Sequence, residues 1–424
     1  MLNAVMNKFK KFITFFVFAL FFTIIGYEYP IIIDNSKKYF KYQLKKVGFI
    51  DSFINKTSDI EKLNSPIKDN VDSNFNEVPG NSFSLKYKKI MYIDDRTSGF
   101  FVSDDSKNNS FEIYLQEGIV IKTKNSAEEL SLPLSITFEK NGGVKSVFKI
   151  NKNVFLLVSN KKNFNCYYSS IYNLTKKKII FSSECLPDNE NIDFNGIGGA
   201  FLEFEDNILL SIGSPEWNSN YIRNLAKDES SVYGKFILFN KEPFLKNEMI
   251  TKEKYIIFSK GHKNPQSVTK VEDKFIAVEH GPQGGDELNV IKKNNNYGWP
   301  LVSYGTLYND GKSFNQTRAN FESPIFSFLP SIAPSAINNC PQNLKNYYST
   351  NHCLMILSLR GMALFVVLLD KKKLNVVSIE EFKIDQRIRH FGLNSKNLLF
   401  QKNNSFYISV DGEGIYETSF GNFR

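Results

Sequence analysis

The sequence is short of the residues that most often do chemistry. Its 424 residues include four histidines, four cysteines and two tryptophans. No Cys or His spacing is of the zinc-site type, so a sequence-legible structural zinc is excluded. A dense disulfide scaffold is excluded too, because four cysteines are too few for a chain of this length. Charge of one sign is not gathered anywhere: 53 Lys and Arg against 44 Asp and Glu give +9, spread along the chain. That is a solvated lysine-rich surface rather than a basic stripe, and nucleic-acid binding is not expected. Global disorder is excluded by the 42% hydrophobic and 14% aromatic content, which allows one large domain or two ordinary ones.

The N-terminus has no A-x-A-like cleavage site after its apolar run. Lys8, Lys10 and Lys11 precede the run from Phe12 to Ile25, which matches a signal-peptide core and is shorter than the roughly 20 residues a spanning helix prefers. Residues 1–30 are therefore expected to be an uncleaved signal anchor or a cleaved signal peptide, and residues 31–83, rich in Asn, Asp and Ser, a juxtamembrane spacer. Lysines on both sides of the run leave orientation open. Export of the main domain is the expectation. Four cysteines at two short separations agree with an oxidising compartment. Cys166 and Cys185 flank two β-rich runs around a turn near Thr175 and Lys176, which would set them opposite each other on a hairpin. Free buried thiols are the alternative, more so for Cys340 and Cys353.

After the spacer almost nothing has a sustained helical period. Short β-type runs such as VFLLVS, NILLSIG, KFIAVEH and ALFVVLL alternate with polar turns, so the domain is all-β. VFKINKNVFLLVSN, FLEFEDNILLSIGS and VTKVEDKFIAVEHG share one layout of strand, polar turn and buried strand, and FGLNSKNLLFQKN is a fainter fourth copy. Their spacing is about that of a four-stranded propeller blade with long loops, and residues 84–424 predict a six-bladed β-propeller.

One stretch concentrates the rare residues. EHGPQGGDELNVIKKNNNYGWP, residues 279–300, holds four of the 24 glycines, one tryptophan and one histidine. Its Gly-Pro and Gly-Gly steps let backbone carbonyls approach a ligand, and Asp286 and Glu287 are hard oxygen donors of the kind calcium takes. By itself such a loop is as readily a plain turn. Upstream, however, lies GHKNPQSVT from Gly261, and downstream come FLPSIAPSA from Phe328, LSLRG from Leu357 and QRIRHF from Gln386. This ordered set resembles the PQQ-dependent soluble glucose and aldose sugar dehydrogenases, the glucose/sorbosone dehydrogenase family.

The resemblance implies a six-bladed propeller that binds pyrroloquinoline quinone (PQQ) and calcium and oxidises aldoses in the periplasm. It implies that the carbonyls of Gly281 and Pro282 hold a calcium that touches the quinone. Glu287 and the carbonyl of Tyr297 match ligands of a second, structural calcium. Lys263 and Asn264 match an Arg-Asn pair that meets the cofactor, and Asn141 stands where a Gln does. Ser331, Arg360, Arg387 and Arg389 match further cofactor contacts, with Arg360 the cation beside the quinone carbonyl. A tricarboxylate needs several fixed cations, and Lys263 and the three arginines supply them. Arg387 and Arg389, two apart on a strand, point the same way.

Departures accompany the match. Asn195 stands where the family has its general base, a His, and an amide has no useful basicity. Asp193 could replace it only if the loop shifted. Leu329 stands where an aromatic would pack near the quinone, and Lys263 keeps a charge but loses the guanidinium fork. The expectation is an oxidoreductase passing hydride from an aldose to calcium-bound PQQ, weakened at the base position. Its partners would be a sugar and an unknown electron acceptor. It would sit at the periplasmic face of the inner membrane, held there through the N-terminal segment, or be periplasmic or secreted if that segment is cleaved. The alternative is a non-catalytic propeller that binds at the cell envelope. A lactonase-type hydrolase would need a carboxylate cluster that the sequence does not display.

Overall fold

The computed structural model describes residues 71–423 apart from 105–108, 123–125, 164 and 310. The expected signal or anchor at 1–30, and the expected spacer up to residue 70, lie outside the described residues.

The described chain forms six antiparallel sheets, five of four strands and one of five. Three blades start with the shared layout seen in the sequence. Val144–Ile150 turns into Asn153–Asn163, Phe201–Phe204 into Asn207–Ile212, and Asn264–Val271 into Lys274–His280. Each turn is two residues long. Its first residue, Asn151, Glu205 or Glu272, is left-handed at φ 53°, 50° and 52°.

The second strand of each unit reads as a continuous apolar run because both of its faces are buried. In Asn153–Asn163, Phe155 and Leu157 pack toward the third blade while Leu156 and Val158 pack toward the first. Every apolar cluster in the described residues lies between two neighbouring sheets in this way. A core split among blade interfaces requires the blades to close a ring. They do: neighbouring inner strands touch around the circle, and Ser146 donates to the carbonyl of Gly199 at 2.9 Å where the second blade meets the third.

Both ends of the described region build the last blade, in the order Asn76–Pro79, Ser84–Met91, Gly414–Gly421, Ser405–Val410, Ile388–Phe391. Two sequence expectations are corrected here. Residues 76–79, read as spacer, already pair with 84–87, so the propeller starts before residue 84. FGLNSKNLLFQKN is not a fourth strand–turn–strand unit. It holds the end of an inner strand and a long loop that forms a parallel bridge from Leu393 to Phe101 of the first blade. The cysteines pair as Cys166–Cys185 and Cys340–Cys353, with Cα atoms 4.9 and 5.4 Å apart.

Candidate functional site

The inner strands share a local irregularity that builds the mouth of the channel. In five blades the ladder between the first and second strands slips by one residue near its start. The slips fall at Ser98, Lys145, Gln266, Ser335 and Arg389. A bulge re-aims the extra side chain, and all five line one cavity of about 150 Å³ on the channel. Ser98 and Ser335 donate across to the next blade, to the carbonyls of Val144 and Ile388, at 2.7 Å each. The remaining blade, the third, offers Gly198 and Gly199 instead, where a Cβ would collide with Pro265 and Ser146.

Asn195 reaches this cavity from a short 3-10 turn, Phe194–Ile197. Asp193 caps that turn, accepting from the amide of Asn195 at 2.9 Å and from the Asn141 side chain at 3.1 Å. Asp193 therefore serves as a cap, and the loop shift needed for a replacement base is not present. Asn264 donates to the Asn195 carbonyl at 3.1 Å. Lys145 donates to the Asn141 carbonyl at 2.6 Å. Burial pushes Lys145 down to about 7; Asp193 pulls it up, and Arg389 and Arg96 push it down further.

The loop after Lys274–His280 is locked by Asp286. One oxygen accepts the Gly281 amide at 3.0 Å; the other accepts the Ala333 amide at 2.7 Å and the Ser331 hydroxyl. Asp286 is thus a tie between two loops, and Ser331 is engaged by it. A Cβ on Gly281 would meet the Gly284 and Gly285 carbonyls at 2.3 and 2.4 Å, so only glycine fits this fold of the backbone. The carbonyls of Gly281 and Pro282 accept no hydrogen bond from the described residues. Two unpartnered hard oxygens in a glycine cradle suit a calcium ion. His280 is held neutral by burial, bonding to the Pro334 carbonyl at 3.0 Å and to Asn264 at 3.3 Å.

The second calcium expected at Glu287 and Tyr297 does not fit these residues. Both groups do come together, but around Arg318. Through one terminal nitrogen its guanidinium donates to the Tyr297 carbonyl and the Glu322 carbonyl at 3.0 Å each, and through the other to one oxygen of the Glu287 carboxylate. The pair is nearly sealed, with side chains 5% and 8% exposed. Burial, then Glu279, push Glu287 up to about 8, while Arg318 and Asn289 pull it down. A divalent ion placed here would face a fixed cation at contact distance.

The expected cations divide into two kinds. Arg389 lies in a bidentate pair with Asp411, 2.5 Å on each arm, and Arg387 sits 3.5 Å from the same carboxylate. One carboxylate thus faces two guanidinium groups that do point the same way. Arg387 also reaches the Leu359 carbonyl at 3.5 Å, beside the exposed Arg360. Lys263 lies with its ammonium 5.8 Å from the Trp299 ring and 5.6 Å from Tyr308. Leu329 is 62% exposed. Sequence reasoning missed Lys145, Arg318, Asp411 and the half-exposed Trp217, which stacks on Tyr308 at 4.3 Å. None falls in a recognisable motif, and only the fold brings them to the site.

A six-bladed propeller with a glycine-cradled oxygen site among cationic side chains defines the class. The glucose/sorbosone dehydrogenase family model matches residues 121–407, and the chain belongs to that family. It is 34% identical over 149 residues to an uncharacterized protein of Synechocystis sp., 31% of this chain and 35% of that one. It is 32% identical over 155 residues to the aldose sugar dehydrogenase YliI of Escherichia coli, 34% of this chain and 40% of that one. The matched stretches thus span well under half of these curated relatives. Among solved structures, the soluble aldose sugar dehydrogenase of E. coli superposes with TM-score 0.60 at 20% identity, covering 79% of this chain and 99% of the other. The PQQ-bound aldose sugar dehydrogenase of Streptomyces coelicolor gives 0.53 at 16%, covering 81% and 99%. These likenesses at low identity establish the shared propeller.

Proposed function

We propose that the chain oxidises the anomeric hydroxyl of an aldose, with PQQ and one calcium held at the channel mouth. The observation that carries this reading is the Gly281–Pro282 turn. It keeps two carbonyl oxygens free, and Gly281 and Pro282 line one pocket with Lys263 and His280, the latter bonded to Asn264. When bound, the cofactor supplies an ortho-quinone that accepts two electrons as hydride. The chain's own residues supply the rest. Arg360 and Arg387 are free enough to meet carboxylates or a quinone oxygen, whereas Arg389 is half neutralised by Asp411. Asp286 holds the metal-type loop and the Ser331 loop in fixed register, so the site is pre-organised. The two disulfides and the apolar N-terminal run favour a working place outside the cytoplasm, at the periplasmic face of the inner membrane or free in the periplasm.

A second reading, a non-catalytic envelope propeller, is favoured by Asn195 at the base position and by the exposed Leu329. The test is to add calcium and PQQ to the purified protein and record the bound-quinone absorbance. Binding at one equivalent, lost on chelation and bleached by aldoses, is the expected result. Bound quinone that no aldose bleaches supports the second reading. No binding removes the quinoprotein reading.

A further inference from the structure

We propose that Lys145 is the group that accepts the sugar hydroxyl proton in this chain, in place of the base missing at Asn195. The assignment rests on the oxidation proposed above and deepens it.

The geometry comes first. Lys145 occupies the bulge of its inner strand, so its side chain is turned into the channel instead of into the sheet. It lines the same cavity as Asn195 and bonds to the carbonyl of Asn141 at 2.6 Å. Of the five bulge side chains, only Lys145 and Arg389 are ionisable. Arg389 is tied to Asp411, and a guanidinium does not give up its proton in proteins. Ser98 and Ser335 spend their hydroxyl protons on carbonyls of the next blade.

The charge environment agrees. The groups acting on Lys145 are Asp193 from the 3-10 turn, Arg389 from the last blade and Arg96 ahead of the first. Lys145 is half-buried by surface exposure, and the protein packed around its amine, the largest influence on it, brings it down to about 7, where a general base works best at neutral pH. Lysines desolvated in this way serve as bases in enzymes.

The step balances. The C1 hydroxyl proton passes to the lone pair of the Lys145 amine, and the C1–O bond becomes a carbonyl. The C1–H bond breaks, and its electron pair leaves with hydrogen as hydride to an oxidant of the ortho-quinone class. The aldose is oxidised to its lactone, the oxidant is reduced, and the ammonium returns its proton to water.

The test compares wild type, Lys145→Ala and Lys145→Arg in the full chain, loaded with calcium and PQQ. Single-turnover bleaching by aldose is expected to rise with pH through about 7 in the wild type. It should fall by about 10²–10⁴ in both variants, while quinone binding is kept. Added ethylamine should restore bleaching in Lys145→Ala, with a rate that depends on pH through the basicity of the added amine. Competitive acetylation across pH reads the Lys145 amine directly, independent of turnover, and should show it titrating near neutrality. Acetylation showing an ordinary lysine basicity overturns the assignment. So does restoration of both binding and bleaching in Lys145→Arg, which would make the residue a cofactor-binding cation. Failure of the wild type to bind quinone overturns the oxidation reading, and the assignment falls with it.

Discussion

Arg318 shows how one side chain changes what a motif means. Its motif partners, Glu287 and the Tyr297 carbonyl, are where the family resemblance put them, and a guanidinium stands between them. Removing it would leave the Tyr297 carbonyl, the Glu322 carbonyl and the Glu287 carboxyl group without their buried donor, so Arg318→Met should cost about 1–3 kcal/mol in urea unfolding. In quinone-free wild type, a chelator should leave the melting temperature unchanged. A chelator-induced drop would show a metal bound without the quinone, at this loop or at the Gly281–Pro282 carbonyls. Asp411 gives a prediction with a pH sign. Burial works to raise its pKa, but Arg389, with Arg387 and Arg96 behind it, holds it below the usual carboxylate range. Its stabilising contribution is therefore present above the ordinary carboxylate pKa and is lost as pH falls through the lowered value. Asp411→Asn should flatten the acid limb of stability against pH measured by urea unfolding.

At the scale of elements, the legible part was the buried strand pair. Phe155, Leu156, Leu157 and Val158 form an apolar run because a middle strand faces two neighbours, and such runs stand out in any sequence. Leu156→Ala should cost about 2–5 kcal/mol as a core cavity, read by the urea midpoint. The bulges were not legible. They occur at Ser, Lys, Gln, Ser and Arg, residues with no common type, because a bulge is set by how neighbouring strands meet. The hairpin placement of Cys166 and Cys185 was readable from equal arm lengths. Cys340 and Cys353 were not, since a helical turn, Gln342–Tyr347, intervenes. Replacing Cys340 and Cys353 by Ala together should lower stability by about 3 kcal/mol if loop closure sets the effect, again measured in urea.

For the molecule as a whole, closure is the governing fact. Strand Ser84–Met91 pairs along Gly414–Gly421, so the last blade is assembled from the two ends of the domain. A chain beginning at residue 92 would leave an open sheet edge along Gly414–Gly421 and uncover the core face, including Phe382, Phe406 and Phe420, that Phe83 and Leu85 cover. It should lose near-UV circular dichroism and cooperative melting, whereas a chain beginning at residue 71 should keep both. The sequence by itself determined an all-β propeller and the glycine-rich oxygen loop, because alternation, turn residues and contiguous motifs are local properties. Tertiary structure alone decided which cation meets Glu287, which arginine is neutralised by Asp411, and that Lys145 faces the channel beside Asn195. Those outcomes depend on side chains distant in sequence that meet only when six blades close around one axis.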